Sequence, residues 1–544
     1  MKHVIGLARH AKTVVVALGF SSLTAMAVGS ELQTPTAWTD ATSSTQGEST
    51  SNAANSSPDP NGLDPTSAPI ATNSLDPASA PIAANSSIDP AKKPIKGVFL
   101  QAQTETGQNP PGVASVSVRP PSDMTPPTRT GPLSEIGNAL EEQGFTFGLF
   151  FTNGYFNNPS AGIKPGSSMD SPALFMSVNA DLAKLIGVPN TQLHITEAWE
   201  PLSQNNGDYS YKVGSSLAPF PATTTSSNLV KLTLSHDLFD KQLHVEYGRM
   251  NLGDDFMVAT MCAGCITSTP LITVGVPPFD KSLWGARLAY KVSPHTRLGL
   301  GLTEDNYGLF SQSSGWDWTS NTRKGWIWLG NMMYTTDFSD SRYPLNAEVG
   351  VYHNTTPYTD DLYNEDGSTQ SQNPFGTAVK HDSGTSGFYG QARKVIWSNS
   401  DAQGVVPPNV AVYGGAFVTP GSGQSFPLEL YAGTEYGGFV KGNPAALVGS
   451  TVRYLKLSKG RALNEQQTSE ANGWGDDSVH RDTFTFDVHG QYGLAPGVLA
   501  NASAQYFLNP NRQGPNASVG PTQSGWLFAL TFAIDIGRIS GLSR

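Results

Sequence analysis

The feature that most restricts what this chain can fold into is a hydrophobic period of two residues, repeated in segment after segment of its C-terminal 400 residues. Near the end, Trp526, Phe528, Leu530, Phe532 and Ile534 hold one parity, and Leu527, Ala529, Thr531, Ala533 and Asp535 the other. Successive side chains of a strand point to opposite faces, so this period marks extended strands with one apolar face. The pattern recurs in pairs around short turns. Trp284, Ala286, Leu288 and Tyr290 oppose Gly285, Arg287, Ala289 and Lys291; beyond a turn at 292–295, Leu298, Leu300 and Leu302 oppose Arg297, Gly299, Gly301 and Thr303. Val230, Leu232 and Leu234 oppose Lys231, Thr233 and Ser235; after a turn at 238–242, Leu243, Val245 and Tyr247 oppose His244 and Glu246. Phe484, Phe486, Val488 and Tyr492 oppose Thr485, Asp487, His489 and Gln491, and past 493–497 Val498, Ala500, Ala502, Ala504 and Tyr506 oppose Asn501, Ser503 and Gln505. Such pairs are antiparallel hairpins.

A soluble sandwich also alternates, with its apolar face as the core. Three features favour a closed barrel in a membrane instead. Short turns alternate with long polar stretches such as 355–387, strand ends carry Trp and Tyr, and the last strand is aromatic-rich where closure on the first would occur. At about 10 residues per strand plus connections, the span from Phe145 onward suits about 16 strands. The expected fold is therefore all-β, a transmembrane antiparallel β-barrel of about 16 strands. A mean hydropathy of −0.27 fits, because lipid-facing and lumen-facing residues average out along each strand.

The N-terminus sets the compartment. Lys2, Arg9 and Lys12 precede an apolar run at 13–23 and the small-x-small triplet Ala25-Met26-Ala27, so residues 1–27 are expected to be a cleaved signal peptide. The apolar run is too short to cross a bilayer core of about 30 Å as a helix. Residues 28–130 are expected to form a low-complexity tether rich in Pro, Ser, Asn and Ala, containing the repeat LDPTSAPIATNS (63–74), LDPASAPIAANS (75–86), IDPAKKPI (88–95). A spacer through the periplasmic cell-wall layer and a linker with no particular role both remain open. Residues 131–544 are expected to be the barrel, opening on a short helix over 132–143 with Ser134 as cap and Gly144 as stop, and with strands from about 145.

The net charge is −11, and the expected leader takes three positive charges away, so nucleic acid is excluded as a partner. No catalytic motif is present: the chain lacks G-x-S-x-G, H-E-x-x-H and the phosphate-binding G-x-x-x-x-G-K-[ST]. No catalytic residue, metal site or cofactor is therefore expected, and the acidic pairs such as Asp254-Asp255 fall in loop contexts. Cys262 and Cys265 are expected to form a disulfide pinning a loop, since a redox C-x-x-C needs a strand–helix context missing here. The residues with a use are those on the polar parity: Lys231, His244, Glu246, Arg287, Lys291, Arg297, Glu348, Asp487, His489, Gln491 and Gln505. A polar solute crossing a membrane must exchange its water for hydrogen bonds, and a lumen lined by such groups supplies them.

The chain resembles the carbohydrate-selective porins of the OprB family. GFTFGLFFTNGYFNNPSAGIKPGS (144–167) is similar to the family's opening strand and turn, and LVKLTLSHDLFDKQLHVEYGRMNLGDDF (229–256) to a hairpin of the family. GLGLTEDNYGLF (299–310), PLNAEVGVYHNT (344–355), GFYGQARKVIW (387–397), LELYAGTEYGGFVKGNP (428–444) and YGLAPGVLANASAQYFLNPN (492–511) follow in family order. The resemblance covers residues 131–536. In GNPAALVG (442–449), Asn443 and Ala446 stand where the family usually has Arg and Asp, so no pore contact is carried over there. The resemblance implies a porin in outer-membrane lipid, passing small sugars such as glucose into the periplasm, and leaves monomer and homo-oligomer open. Two other readings stand beside it: an outer-membrane barrel enzyme, which needs a catalytic pair at the rim, and a secreted carbohydrate-binding β-protein, which is soluble without detergent.

Overall fold

The computed structural model describes residues 129–543, apart from 201–208, 210–211, 216–225, 255, 257–260, 263–264, 266–280, 307–315, 317, 319–322, 400–405, 422–424, 474–478 and 512–521. The expected signal peptide and nearly all of the expected tether lie outside the described residues.

The described wall begins with β1 (Phe145–Asn158), β2 (Ser167–Asp181), β3 (Thr191–Glu200), β4 (Ser226–Leu238), β5 (Leu243–Met250) and β6 (Leu283–Lys291). It continues with β7 (Thr296–Asp305), β8 (Gly325–Thr335) and β9 (Leu345–Asn354). Between β9 and β12 (Thr385–Ser398) a separate hairpin is inserted, β10 (Tyr358–Asn364) with β11 (Ala378–His381). The wall ends with β13 (Asn409–Val418), β14 (Leu428–Gly437), β15 (Leu447–Lys456), β16 (Asp482–Ala495), β17 (Val498–Leu508) and β18 (Gly525–Asp535). Sixteen of these strands form one closed antiparallel barrel, each paired with its neighbours in the wall. Closure is by β1 on β18, in register from Phe150 opposite Asp535 to Asn157 opposite Phe528. A closed barrel leaves no strand edge unpaired, which is the condition for crossing hydrocarbon with strands. Among the described residues no helix is long and apolar enough to cross a membrane.

The two barrel ends differ. Connections at one end are tight: residues 239–242 between β4 and β5, 292–295 between β6 and β7, and Pro496-Gly497 between β16 and β17. Gly497 there has φ +80°, a conformation that Gly adopts without steric cost. At the β4–β5 turn three consecutive side-chain-bearing residues, Phe239, Asp240 and Lys241, hold left-handed φ of 52–64°. The other end carries long connections, including residues 251–282 between β5 and β6 and 355–384 between β9 and β12. The latter stretch is not purely a loop, because it holds the β10–β11 hairpin. That hairpin lies against helix α3 (Lys459–Ala471) of the β15–β16 connection: Ser371 Oγ reaches Gln467 at 3.3 Å and Asn464 Nδ2 reaches Gln370 at 3.3 Å.

Helix α1 (Ser134–Glu142) forms within the span expected, but Ser134 is not its cap. Leu133 occupies the cap position without a side-chain bond, and its N–H donates instead to the Ser540 carbonyl at 2.8 Å. That carbonyl belongs to α4 (Ile536–Ser540), which follows the last strand and folds back beneath the barrel. A further short helix, α2 (Leu182–Ile186), is capped by the Asp181 carboxylate, which accepts from Ala183 N at 3.0 Å, and ends at Gly187 with φ +78°.

The wall is turned inside out relative to a soluble protein. Leu300, Val351 and Val488 point outward and are 61%, 60% and 65% exposed, while Glu348 and Glu435 point inward and are 0% and 1% exposed. Phe528 and Leu530 are exposed and Leu527 and Ala529 buried, so the last strand presents its even parity to the outside. Exposed Trp199, Trp326, Trp328 and Trp526 sit near the long-connection end, and Tyr290, Tyr334, Trp397 and Tyr492 near the tight-turn end. Two aromatic rows bracketing an apolar band are what a bilayer selects at its interfaces.

Candidate permeation pathway

Inward-facing polar residues gather into two networks. The first lies on β4, β5 and β6, where Lys231, Glu246 and Arg287 share the inner parity. Glu246 accepts from Arg287 Nε at 2.6 Å and Nη2 at 2.5 Å, lies 3.1 Å from Lys231 Nζ, and also accepts from the Thr233 hydroxyl. Two cations on one carboxylate, all buried, are held by cross-strand registers that set Ser235 opposite Glu246 and Glu246 opposite Arg287. His244 is further toward the tight turn, 2.8 Å from Asp237 and 3.8 Å from Glu246.

The second network spans β8 to β17. Glu348 accepts from Asn331 Nδ2 at 2.8 Å, Tyr389 Oη at 2.7 Å and Gln391 Nε2 at 2.8 Å. Gln391 in turn accepts from Tyr431 Oη at 2.7 Å. Glu435 is paired with Arg393 and lies 3.3 Å from His489 Nε2, while His489 Nδ1 is 2.5 Å from Asp487, which the Ser503 hydroxyl also reaches. Arg453 and Glu429 form a further buried pair at 2.5 Å.

The residues expected from sequence are therefore placed unequally. Lys231, Glu246 and Arg287 are brought together, as are Asp487 and His489, and Glu348 anchors its own set. Gln505 is buried beside them, donating to Ser503 Oγ at 3.2 Å. Lys291 and Arg297 stand opposite each other at the tight-turn rim, Lys291 exposed and Arg297 against Met333 Sδ at 3.0 Å. Gln491 also lies toward that rim, bonded to the Ala445 carbonyl at 3.1 Å, and Asn443 nearby donates to the Gly493 carbonyl at 2.8 Å. Arg393, Glu429, Glu435, Arg453, Gln391, Tyr389 and Tyr431 were missed. The signal for them is the same parity rule, since Tyr389, Gln391 and Arg393 alternate on β12 and Glu429, Tyr431 and Glu435 on β14.

Inner-wall tyrosines are accommodated by glycine on the neighbouring strand. Tyr389 is opposite Gly350 and Tyr352 opposite Gly387, and a Cβ at either glycine falls about 2.4 Å from the opposing ring. Tyr413 with Gly433 and Tyr431 with Gly415 repeat the exchange between β13 and β14. Set against glycine, these rings line the inner wall.

The connection between β5 and β6 runs along this inner wall. Phe256 lies over Gly299 and Gly301 of β7, where an added Cβ falls 2.7 Å from its ring at Gly301. Met261 N donates to Tyr431 Oη at 3.1 Å. Cys262 and Cys265, joined to each other through their sulfurs, lie against β13, β14, β15 and β16, with Cys262 Sγ 3.3 Å from Glu435 and Cys265 Sγ 3.1 Å from Thr451. Among the described residues of this connection, Phe256 thus packs on the inner face of β7, and Met261, Cys262 and Cys265 pack on the inner faces of β13 to β16.

A polar tube with an apolar exterior and an inward-folded connection is a device for moving solutes, and known proteins agree. The model of the carbohydrate-selective porin, OprB family, matches residues 167–528. Porin B of Pseudomonas aeruginosa is 24% identical over an alignment 284 positions long, which covers 48% of this chain and 60% of that protein, so the match spans three fifths of the relative's length. The high-pH structure of Pseudomonas putida OprB aligns with a TM-score of 0.65 at 15% identity, covering 76% of this chain and 100% of that one, a likeness of fold. The chain belongs to the OprB family of carbohydrate-selective porins.

Proposed function

We propose that this barrel lets small neutral sugars such as glucose diffuse passively through the outer membrane into the periplasm. The observation that carries the reading is the pairing of charge on the inner wall. Each buried carboxylate of the two networks faces a cation or several hydrogen-bond donors. A wall of matched charges imposes little net field, so a neutral solute gains hydrogen bonds without competing against a strongly held counter-ion. The sugar hydroxyls exchange water for carboxylate oxygens, amides and guanidinium N–H groups, each weak enough to release. Family membership supports a channel rather than an enzyme. The basic, apolar and small-residue pattern of 1–27 supports export with removal of the leader, and the mass of the mature N-terminus tests it. The test of transport is proteoliposome swelling. Glucose should enter well above the rate of empty liposomes, and a large oligosaccharide should enter slowly. Swelling no faster than in empty liposomes overturns the proposal.

A further inference from the structure

The bridged cysteines of the inward-folded segment rest on a set of wall residues that an ion pair alone does not need. Cys262 Sγ lies 3.3 Å from Glu435 Oε1 and 3.6 Å from His489 Nε2, and those two wall atoms are 3.3 Å from each other. Zinc binds N, O and S ligands at about 2.0–2.3 Å in tetrahedral geometry, so its ligand atoms stand about 3.3–3.8 Å apart. The three atoms are thus already spaced as one face of a zinc tetrahedron. The fourth corner is at hand: both sulfurs and a His489 nitrogen lie within 4.8 Å of one another. The imidazole is also oriented as a ligand is, its Nδ1 being 2.5 Å from the Asp487 carboxylate, which Ser503 holds in turn. A carboxylate behind a histidine fixes the tautomer and aims the other nitrogen at the metal. Arg393 grips Glu435 through Oε2, leaving Oε1 directed at Cys262 and His489.

We propose that reduction of the Cys262–Cys265 bridge turns this contact into a zinc site, with Cys262, Cys265, His489 and Glu435 as ligands. Two thiolates, an imidazole and a carboxylate form a set that suits zinc, and C-x-x-C is the spacing with which structural zinc sites take two thiolates. With a phosphine as reductant, phosphorus takes an oxygen from water to become the phosphine oxide, and its electron pair breaks the S–S bond. The two protons of that water end on the two sulfurs. Zinc binding then expels both protons, and the freed Cys265 Sγ swings away from Cys262 to the fourth corner. In either state the segment is fixed to the opposite wall, by the disulfide-closed turn or by the metal.

The experiment uses the full chain in detergent, treated with tris(carboxyethyl)phosphine, desalted without oxygen and titrated with zinc or cobalt. The reduced protein should take up one metal per barrel that the oxidised protein does not. Cobalt should show a thiolate charge-transfer band and tetrahedral d–d bands. Asp487→Asn should weaken binding about 10–100-fold. His489→Gln should abolish the nitrogen ligand seen by X-ray absorption. Because wall variants can fail to assemble, Cys262→Ser with Cys265→Ser provides the second arm: it changes only the connection, keeps the heat-modifiable gel shift, and should lose the site. Equal uptake before and after reduction, a reduced protein without the thiolate band, or full-affinity binding by the double Ser variant overturns the proposal.

Discussion

Glu246 illustrates how a barrel keeps charge inside a membrane. Its carboxylate is buried, yet Lys231, Arg287 and Thr233 all reach it, so the desolvation of three charges is offset by contacts that cross three strands. Glu246→Gln leaves two cations facing each other with one partner gone. It should cost about 3–5 kcal/mol of barrel stability, as removing one member of a buried pair does. Reversal potentials in a salt gradient should shift toward anions. An unchanged selectivity would show that these groups do not face the permeation path. The outward parity is tested at Leu530 and Thr531, neighbours on β18 that face opposite ways. Leu530→Lys puts a charge against hydrocarbon at about 2–4 kcal/mol near the midplane and should lower the yield of folded barrel on gels, while Thr531→Lys should assemble. The reverse outcome would exchange the two faces. At this scale the sequence was readable wherever polar and apolar residues alternate cleanly, as around Glu246 and Arg287. The same parity holds on β12 to β14, but there tyrosines share the inner face with the charges and blur the contrast between the two faces. Aromatic residues in such strands are expected at membrane interfaces, and what brings them inside is cross-strand glycine, as at Gly350 and Gly387, which is a matter of register.

The described residues of the β5–β6 connection sit on the inner wall, a placement that could not be read from residues 251–282. Where a loop goes depends on contacts distant in sequence: Met261 on Tyr431, and Cys262 on Glu435. Phe256 over Gly299 and Gly301 is the anchor nearest its start. Phe256→Ala should remove packing worth about 3–5 kcal/mol locally and release the segment, seen as a larger and noisier single-channel step. An identical step would mean that Phe256 does not hold the segment. A second element, the β10–β11 hairpin against α3, carries a pH dependence outside the membrane. Asp361 is half-buried there, with Ser425 and Ser458 hydroxyls at 3.3 Å, and burial pushes its carboxyl above the ordinary range against the pull of Arg461. A raised folded pKa means that the contact is fully stable below the ordinary carboxylate pKa and weakens as pH rises through the raised one. Asp360 beside it is shifted the other way: backbone N–H groups of Tyr363 and Leu362 and the His381 side chain outweigh its burial. Asp361→Asn should therefore increase hydrogen-exchange protection of the hairpin at neutral pH and leave it unchanged in acid. Equal protection at both would remove Asp361 from the contact.

For the whole molecule, alternation, turn length and strand count were enough to foresee a barrel of about 16 strands, and closure of β1 on β18 with sixteen wall strands is what forms. These properties are local or additive, and local signals survive in sequence. The clasp of α1 by α4 and the gathering of the polar networks around one lumen depend on closure itself. They become visible only once the ends meet. The central claim is that the enclosed polar lumen is an open path. Single-channel recording in a planar bilayer tests it most directly. The protein should insert with discrete, ohmic, weakly ion-selective steps whose size falls as glucose is added. A bilayer that stays electrically silent with folded barrel incorporated would contradict it.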